Sequence, residues 1–121
     1  MTQVSRALVL VIDDSDDQRA LLRTQFERAG CEVIAAESGA AAEDALAGRS
    51  PQIIVIDLLM PPPDGWAVAE RMRLRAPEAA LVITSVLDTH DYPQADAVLP
   101  KPFTGEQVRR IVADLSTQGA R

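Results

Sequence analysis

The chain has 121 residues, enough for one domain and too few for two, and its 47% hydrophobic and 25% charged residues are the balance of a folded globular protein. No apolar run approaches the roughly 20 residues of a membrane-spanning helix, and the start Met-Thr-Gln-Val-Ser-Arg lacks the layout of a signal peptide. A net charge of −6 argues against direct nucleic-acid binding and the single cysteine excludes an internal disulfide, so residues 1–121 are expected to form one cytoplasmic domain without membrane contact.

Ala7 to Ile12 is a continuous apolar run, the pattern of a strand buried on both faces. Asp14 to Ala29 follows as a helix with Leu22, Phe26 and Ala29 at helical spacing, closed by Gly30. Cys31 to Ala36 is less apolar and reads as an edge strand, with Cys31 a small buried hydrophobe. An alanine-rich helix, Gly39 to Ala47, ends at Gly48. Gln52 to Leu58 is a second strongly buried strand. The proline-rich turn Met60 to Gly65 leads into a helix through Ala76, which Pro77 stops. Trp66 on that helix is expected to pack, and Arg71, Arg73 and Arg75 to lie solvated on different faces.

Ala80 to Thr84 is a fourth strand and Asp96 to Leu99 a short fifth. Between them, Leu87 to Gln94 has turn formers, a proline and no helical apolar face, so it reads as an irregular loop with one helical turn or none. His90 in this loop is read as solvated. Thr104 and Gln107 form a capping box that opens the last helix, with Val108, Ile111, Val112 and Leu115 along one side. Strands alternating with helices imply right-handed crossovers, and five strands in this length point to a doubly wound parallel α/β sheet. The expected fold is flavodoxin-like, with strand order 2-1-3-4-5 and a site beyond the C-terminal ends of strands 1 and 3.

Strand 1 ends in Asp13 and Asp14, and strand 3 in Asp57. Three carboxylates meeting at one crevice cannot all stay ionised without a positive partner, and Mg2+ is the abundant hard cation that fits. Thr84 at the end of strand 4 and Lys101 after strand 5 bring a hydroxyl and an ammonium to the same rim, and Lys101 is the chain's one lysine. The plainer reading makes Asp16 and Asp17 first-turn acids of a helix, which is accepted for those two. Asp57, flanked by apolar residues on both sides, is costly to bury unless it reaches the crevice. Taken together at four strand ends, these residues describe a phosphoryl-handling site.

The ordered set Val11-Ile12-Asp13-Asp14-Ser15, Ile56-Asp57 through Met60-Pro61-Pro62-Pro63-Asp64-Gly65, Ile83-Thr84-Ser85 and Leu99-Pro100-Lys101-Pro102-Phe103 resembles the receiver domain of two-component response regulators. The resemblance implies that Asp57 is the phosphoacceptor for a sensor histidine kinase or a phosphotransfer protein. It further implies that Asp13, Asp14, Asp57 and the Leu59 backbone carbonyl hold Mg2+, that Thr84 and Lys101 bind phosphoryl oxygens, and that the Lys101–Pro102 bond is cis. The partner on the output side is a downstream protein or an output domain outside these residues.

Two departures from the family stand out. Val98 occupies the strand 5 position where the family carries an aromatic ring. The helix that the family places between strands 4 and 5, its helix 4, has too little chain here and resembles the variants in which it is shortened or missing. In the family, the residues two after the phosphoacceptor and two after the threonine flank the path of the hydrolytic water; here they are the apolar Leu59 and Val86, and the loop from Ser85 to Ala95 is expected to change order on phosphorylation. An interaction-only pseudo-receiver is the alternative; an aspartate-nucleophile phosphatase lacks its Asp-x-Asp signature and its cap.

Overall fold

The strands at the centre of the molecule are continuously apolar up to their C-terminal ends because each of their faces meets a layer of helices. The computed structural model describes residues 6–119, so the reading made on Met1 to Ser5 falls outside it. In chain order the elements are β1 (Leu8–Ile12), α1 (Asp16–Arg28), β2 (Glu32–Ala36), α2 (Gly39–Leu46), β3 (Ile53–Asp57), α3 (Gly65–Arg75), β4 (Ala80–Ser85), a 3-10 turn (Thr89–Asp91), β5 (Ala97–Pro100) and α4 (Gly105–Gly119). All pairings are parallel and the strand order is β2-β1-β3-β4-β5, the expected flavodoxin-like arrangement.

Alternation along each strand divides the core in two. Leu8, Leu10, Ile12, Ile54 and Ile56 face α2 and α3, meeting Leu46, Val68 and Met72. Val9, Val11, Ile53 and Val55 face the other way, onto Leu22 and Phe26 of α1 and Val108 and Leu115 of α4. β2 lies at one edge of the sheet and β5 at the other.

Each helix opens on a side-chain cap. Ser15 accepts the Gln18 N–H, Ser38 the Ala41 N–H and Asp64 the Ala67 N–H. Thr104 and Gln107 bond reciprocally, as the capping box requires. The Ser15 cap starts α1 at Asp16, two residues later than the sequence pattern suggests, and leaves Asp13 and Asp14 in the loop above the sheet.

No full helix joins β4 to β5; the 3-10 turn is the single helical turn that the loop composition allows. Leu87, Tyr92 and Ala95 from this loop pack against the core cluster instead. Cys31 is buried, and His90 is exposed with its Nδ1 2.8 Å from Asp88 Oδ1. Two smaller expectations are corrected. Trp66, in the first turn of α3, has 36% of its surface exposed rather than packed away. Arg71 and Arg75 lie one turn apart on the same side of α3, and both reach Glu43 of α2, while Arg73 bonds to the Gln94 carbonyl.

Gly65 sets how closely α3 approaches β3. A Cβ there would overlap the Asp57 carbonyl oxygen and the Leu58 Cα, both parts of the main chain. Gly65→Ala must therefore push the helix start away from the end of β3, and overpacking of this kind loses about 1–3 kcal/mol. Urea denaturation is expected to show that loss.

Candidate functional site

β1 and β3 are neighbours whose following helices leave on opposite faces of the sheet, which opens a crevice above their C-terminal ends. Oxygens of Asp13, Asp14 and Asp57 meet there, all within 4.8 Å of one another. Asp13 is fully buried and Asp57 nearly so, while Asp14 stands exposed on the rim.

Asp13 is held at every polar atom. Its N–H donates to the Ala36 carbonyl at 3.1 Å, and its own carbonyl accepts Arg19 Nη1 at 2.8 Å. Oδ1 accepts the Ser15 N–H at 2.9 Å, and Oδ2 accepts Lys101 Nζ at 3.2 Å. The same Lys101 Nζ lies 3.5 Å from Asp57 Oδ1, so one ammonium spans the two buried carboxylates. The Leu59 N–H reaches Asp57 Oδ1 at 3.4 Å. Lys101 is anchored in turn by its own N–H, which donates to the Ser85 carbonyl at 2.9 Å, and its bond to Pro102 is cis, as the resemblance implies.

Thr84 pairs with Asp57 in the β3–β4 register and is fully buried. Its hydroxyl donates to the Leu99 carbonyl at 2.7 Å, so it is turned toward β5 and not into the crevice. Leu59 and Val86 are exposed beside the crevice, and Val98 is exposed on β5. The structure thus brings together Asp13, Asp14, Asp57 and Lys101, with Thr84 adjacent and otherwise engaged. Two contributors escaped the sequence reading. Arg19 looks like any other arginine of this chain until α1 forms, and the Ser85 carbonyl is a backbone atom that no side-chain motif announces.

Burial pushes the Asp57 carboxyl above the usual carboxylate range, and the charge of Asp13 pushes it further. Lys101 and the Leu59 N–H pull the other way without cancelling the rise. One ammonium does not neutralise three carboxylates, and the donors are all hard oxygens, so the residues present fit a divalent cation of the Mg2+ type. A carboxyl with a raised native pKa holds its proton more tightly folded than unfolded. Stability therefore falls as pH rises from the ordinary carboxylate range through the raised value. Asp57→Asn removes the charge at nearly constant volume. Thermal denaturation in chelator is expected to show a melting temperature a few degrees above wild type at neutral pH. That gain should fade as pH falls through the raised value into the ordinary carboxylate range, where the wild-type carboxyl is itself protonated.

A flavodoxin-like α/β domain with an acidic, lysine-bridged pocket at its switch point is the class that fold and site together define. Its sequence matches the response regulator receiver domain profile over residues 9–113. The response regulator MprA of Mycobacterium sp. (strain KMS) is 30% identical over 106 residues, covering 83% of this chain and 46% of that protein. The receiver domain of the Francisella response regulator 1452 superimposes with a TM-score of 0.81 at 27% identity, covering 94% of this chain and 99% of that one. In fold, the chemotaxis protein CheY4 of Vibrio cholerae is similar at a TM-score of 0.80 and 22% identity, covering 92% and 99% of the two chains. The chain belongs to the response regulator receiver domain family of two-component signalling. It spans less than half the length of the curated relatives it matches.

Proposed function

We propose that Asp57 accepts a phosphoryl group from the phosphohistidine of a sensor histidine kinase or phosphotransfer protein, and that residues 1–121 act as one receiver unit in the cytoplasm. The observation that carries this reading is the placement of Asp57 Oδ1 within 3.5 Å of Lys101 Nζ, in the pocket shared with Asp13 and Asp14. A carboxylate oxygen of Asp57 forms the new bond to phosphorus as the bond to the donor imidazole nitrogen breaks, and the imidazole leaves with the electron pair. Lys101, already between Asp13 and Asp57, moves its ammonium onto a phosphoryl oxygen. The Thr84 hydroxyl leaves the Leu99 carbonyl and donates to another.

Asp13, Asp14, Asp57 and the Leu59 carbonyl would hold Mg2+, an ion typical of the family, which when bound offsets the negative charge gathered in transfer. The chemistry is self-directed: the domain takes its own phosphoryl group and hydrolyses it slowly. Output passes to a downstream protein or to a domain outside these residues, and the net charge of −6 speaks against this domain touching nucleic acid itself.

Incubation with a small phosphodonor and Mg2+ tests the assignment. Wild type is expected to take one acid-labile phosphoryl group, Asp57→Ala none, and Asp57→Glu to fold without label. Lys101→Arg should bind Mg2+ yet label slowly, because a wide planar guanidinium does not replace a compact ammonium in this pocket. A folded wild type that stays unlabelled would mark an interaction-only pseudo-receiver.

Lifetime follows from the residues around the crevice. The exposed Leu59 and Val86 side chains offer no hydrogen bond to orient an attacking water. The phosphoaspartate is therefore expected to be long-lived. Leu59→Asn or Val86→Glu should speed its hydrolysis several-fold, as followed by loss of label over time.

A further inference from the structure

From Val86 to Asp96 the chain has one 3-10 turn of regular structure, and few hydrogen bonds tie the segment to the rest of the fold. The Leu87 N–H donates to Ser85 Oγ at 3.2 Å, Arg73 reaches the Gln94 carbonyl, and Asp96 is held twice by Leu81, its N–H donating to the Leu81 carbonyl at 2.9 Å and its Oδ2 accepting the Leu81 N–H at 2.7 Å. In the middle of this span Tyr92 turns inward. Its ring packs on the core cluster with Leu87 and Ala95, and its hydroxyl donates to the Ser85 carbonyl at 2.9 Å. That carbonyl also accepts the backbone N–H of Lys101. A single oxygen, one residue beyond Thr84, thus joins β4, the Lys101 backbone and the loop.

We infer that Tyr92 is a positioning residue of the phosphoryl site, its hydroxyl coupling the Thr84–Ser85 end of β4 and the Lys101 backbone to the loop over residues 86–96. The inference rests on the phosphoacceptor reading of Asp57. Thr84 must give up the Leu99 carbonyl to meet a phosphoryl oxygen, and in this proposal the peptide that links it to Ser85 moves with the side chain. Ser85 is fully buried, so water does not readily replace a donor that its carbonyl loses. A shift at Ser85 therefore either drags Tyr92 along or breaks its bond, and both outcomes reach the loop. Burial pushes the Tyr92 phenol up, in keeping with a hydroxyl that stays protonated and donates to the Ser85 carbonyl.

Tyr92→Phe keeps the ring and deletes the donor. Amide hydrogen exchange of the full chain is compared for wild type and variant in Mg2+, with and without beryllofluoride, beside labelling by a small phosphodonor. The variant is expected to take label at wild-type stoichiometry but more slowly. Its beryllofluoride-dependent change in protection over residues 86–96 should shrink about fivefold, the factor that one ordinary hydrogen bond carries. A purely structural role for Tyr92 raises exchange equally in both states; an unchanged difference in labelled Tyr92→Phe overturns this inference alone. So does a wild-type loop that does not respond to beryllofluoride while Asp57 takes label. A wild type that takes no label overturns the phosphoacceptor reading and this inference with it.

Discussion

Asp13 and Asp57 stand side by side at the ends of β1 and β3, both removed from water, with the Lys101 ammonium 3.2 Å from one and 3.5 Å from the other. Two buried carboxylates with a single cation between them are stable only if each remaining lone pair and proton finds a partner. The neighbouring backbone is arranged around that need. The Ser15 N–H that caps Asp13 belongs to the same residue that starts α1, and the Ser85 carbonyl that anchors Lys101 belongs to the residue after Thr84. The group that stays imperfectly compensated is Asp57, whose carboxyl is raised by burial and by Asp13. Residual negative charge there weakens the fold and is also what makes the pocket attractive to a cation.

A parallel sheet is the framework that makes this concentration of charge possible. All five strands point the same way, so five C-terminal ends share one rim. The continuous apolar runs beneath supply the burial that holds the rim rigid, with Leu10, Val11, Val55 and Ile56 essentially without exposed surface. Gly65 lets α3 close over the end of β3 with no side chain between them. The central strands below are buried on both faces, and the loop above them has one 3-10 turn of regular structure.

The β4–β5 connection shows how a face of the sheet is covered without a helix. Leu87, Tyr92 and Ala95 supply apolar contact with the core, and Arg73 and Tyr92 supply hydrogen bonds to the loop backbone and to β4. Nearby, Arg71 and Arg75 converge on Glu43, joining α3 to α2. Exposed ion pairs of this kind are screened by solvent, so they trim the packing and do not define it. The arrangement leaves Val86, two residues beyond Thr84, and Val98 on the edge strand β5 exposed.

Periodicity and composition were enough for the strand and helix order, the parallel sheet and the convergence of Asp13, Asp14, Asp57 and Lys101, because buried strands must be continuously apolar and an aspartate ending such a run has one place to go. The turn formers and Pro93 likewise made the missing helix legible, since they remove both the periodic face and a backbone donor. The tertiary structure alone decided what depends on contacts between distant segments. It turned Thr84 toward Leu99, set Arg19 against the Asp13 carbonyl, brought Arg71 and Arg75 to Glu43, left Trp66 partly in solvent and aimed Tyr92 at Ser85. Hydrogen-bond partners are chosen by position in space, and a chain that pairs backbone carbonyls with remote side chains carries no local pattern from which those partners can be read.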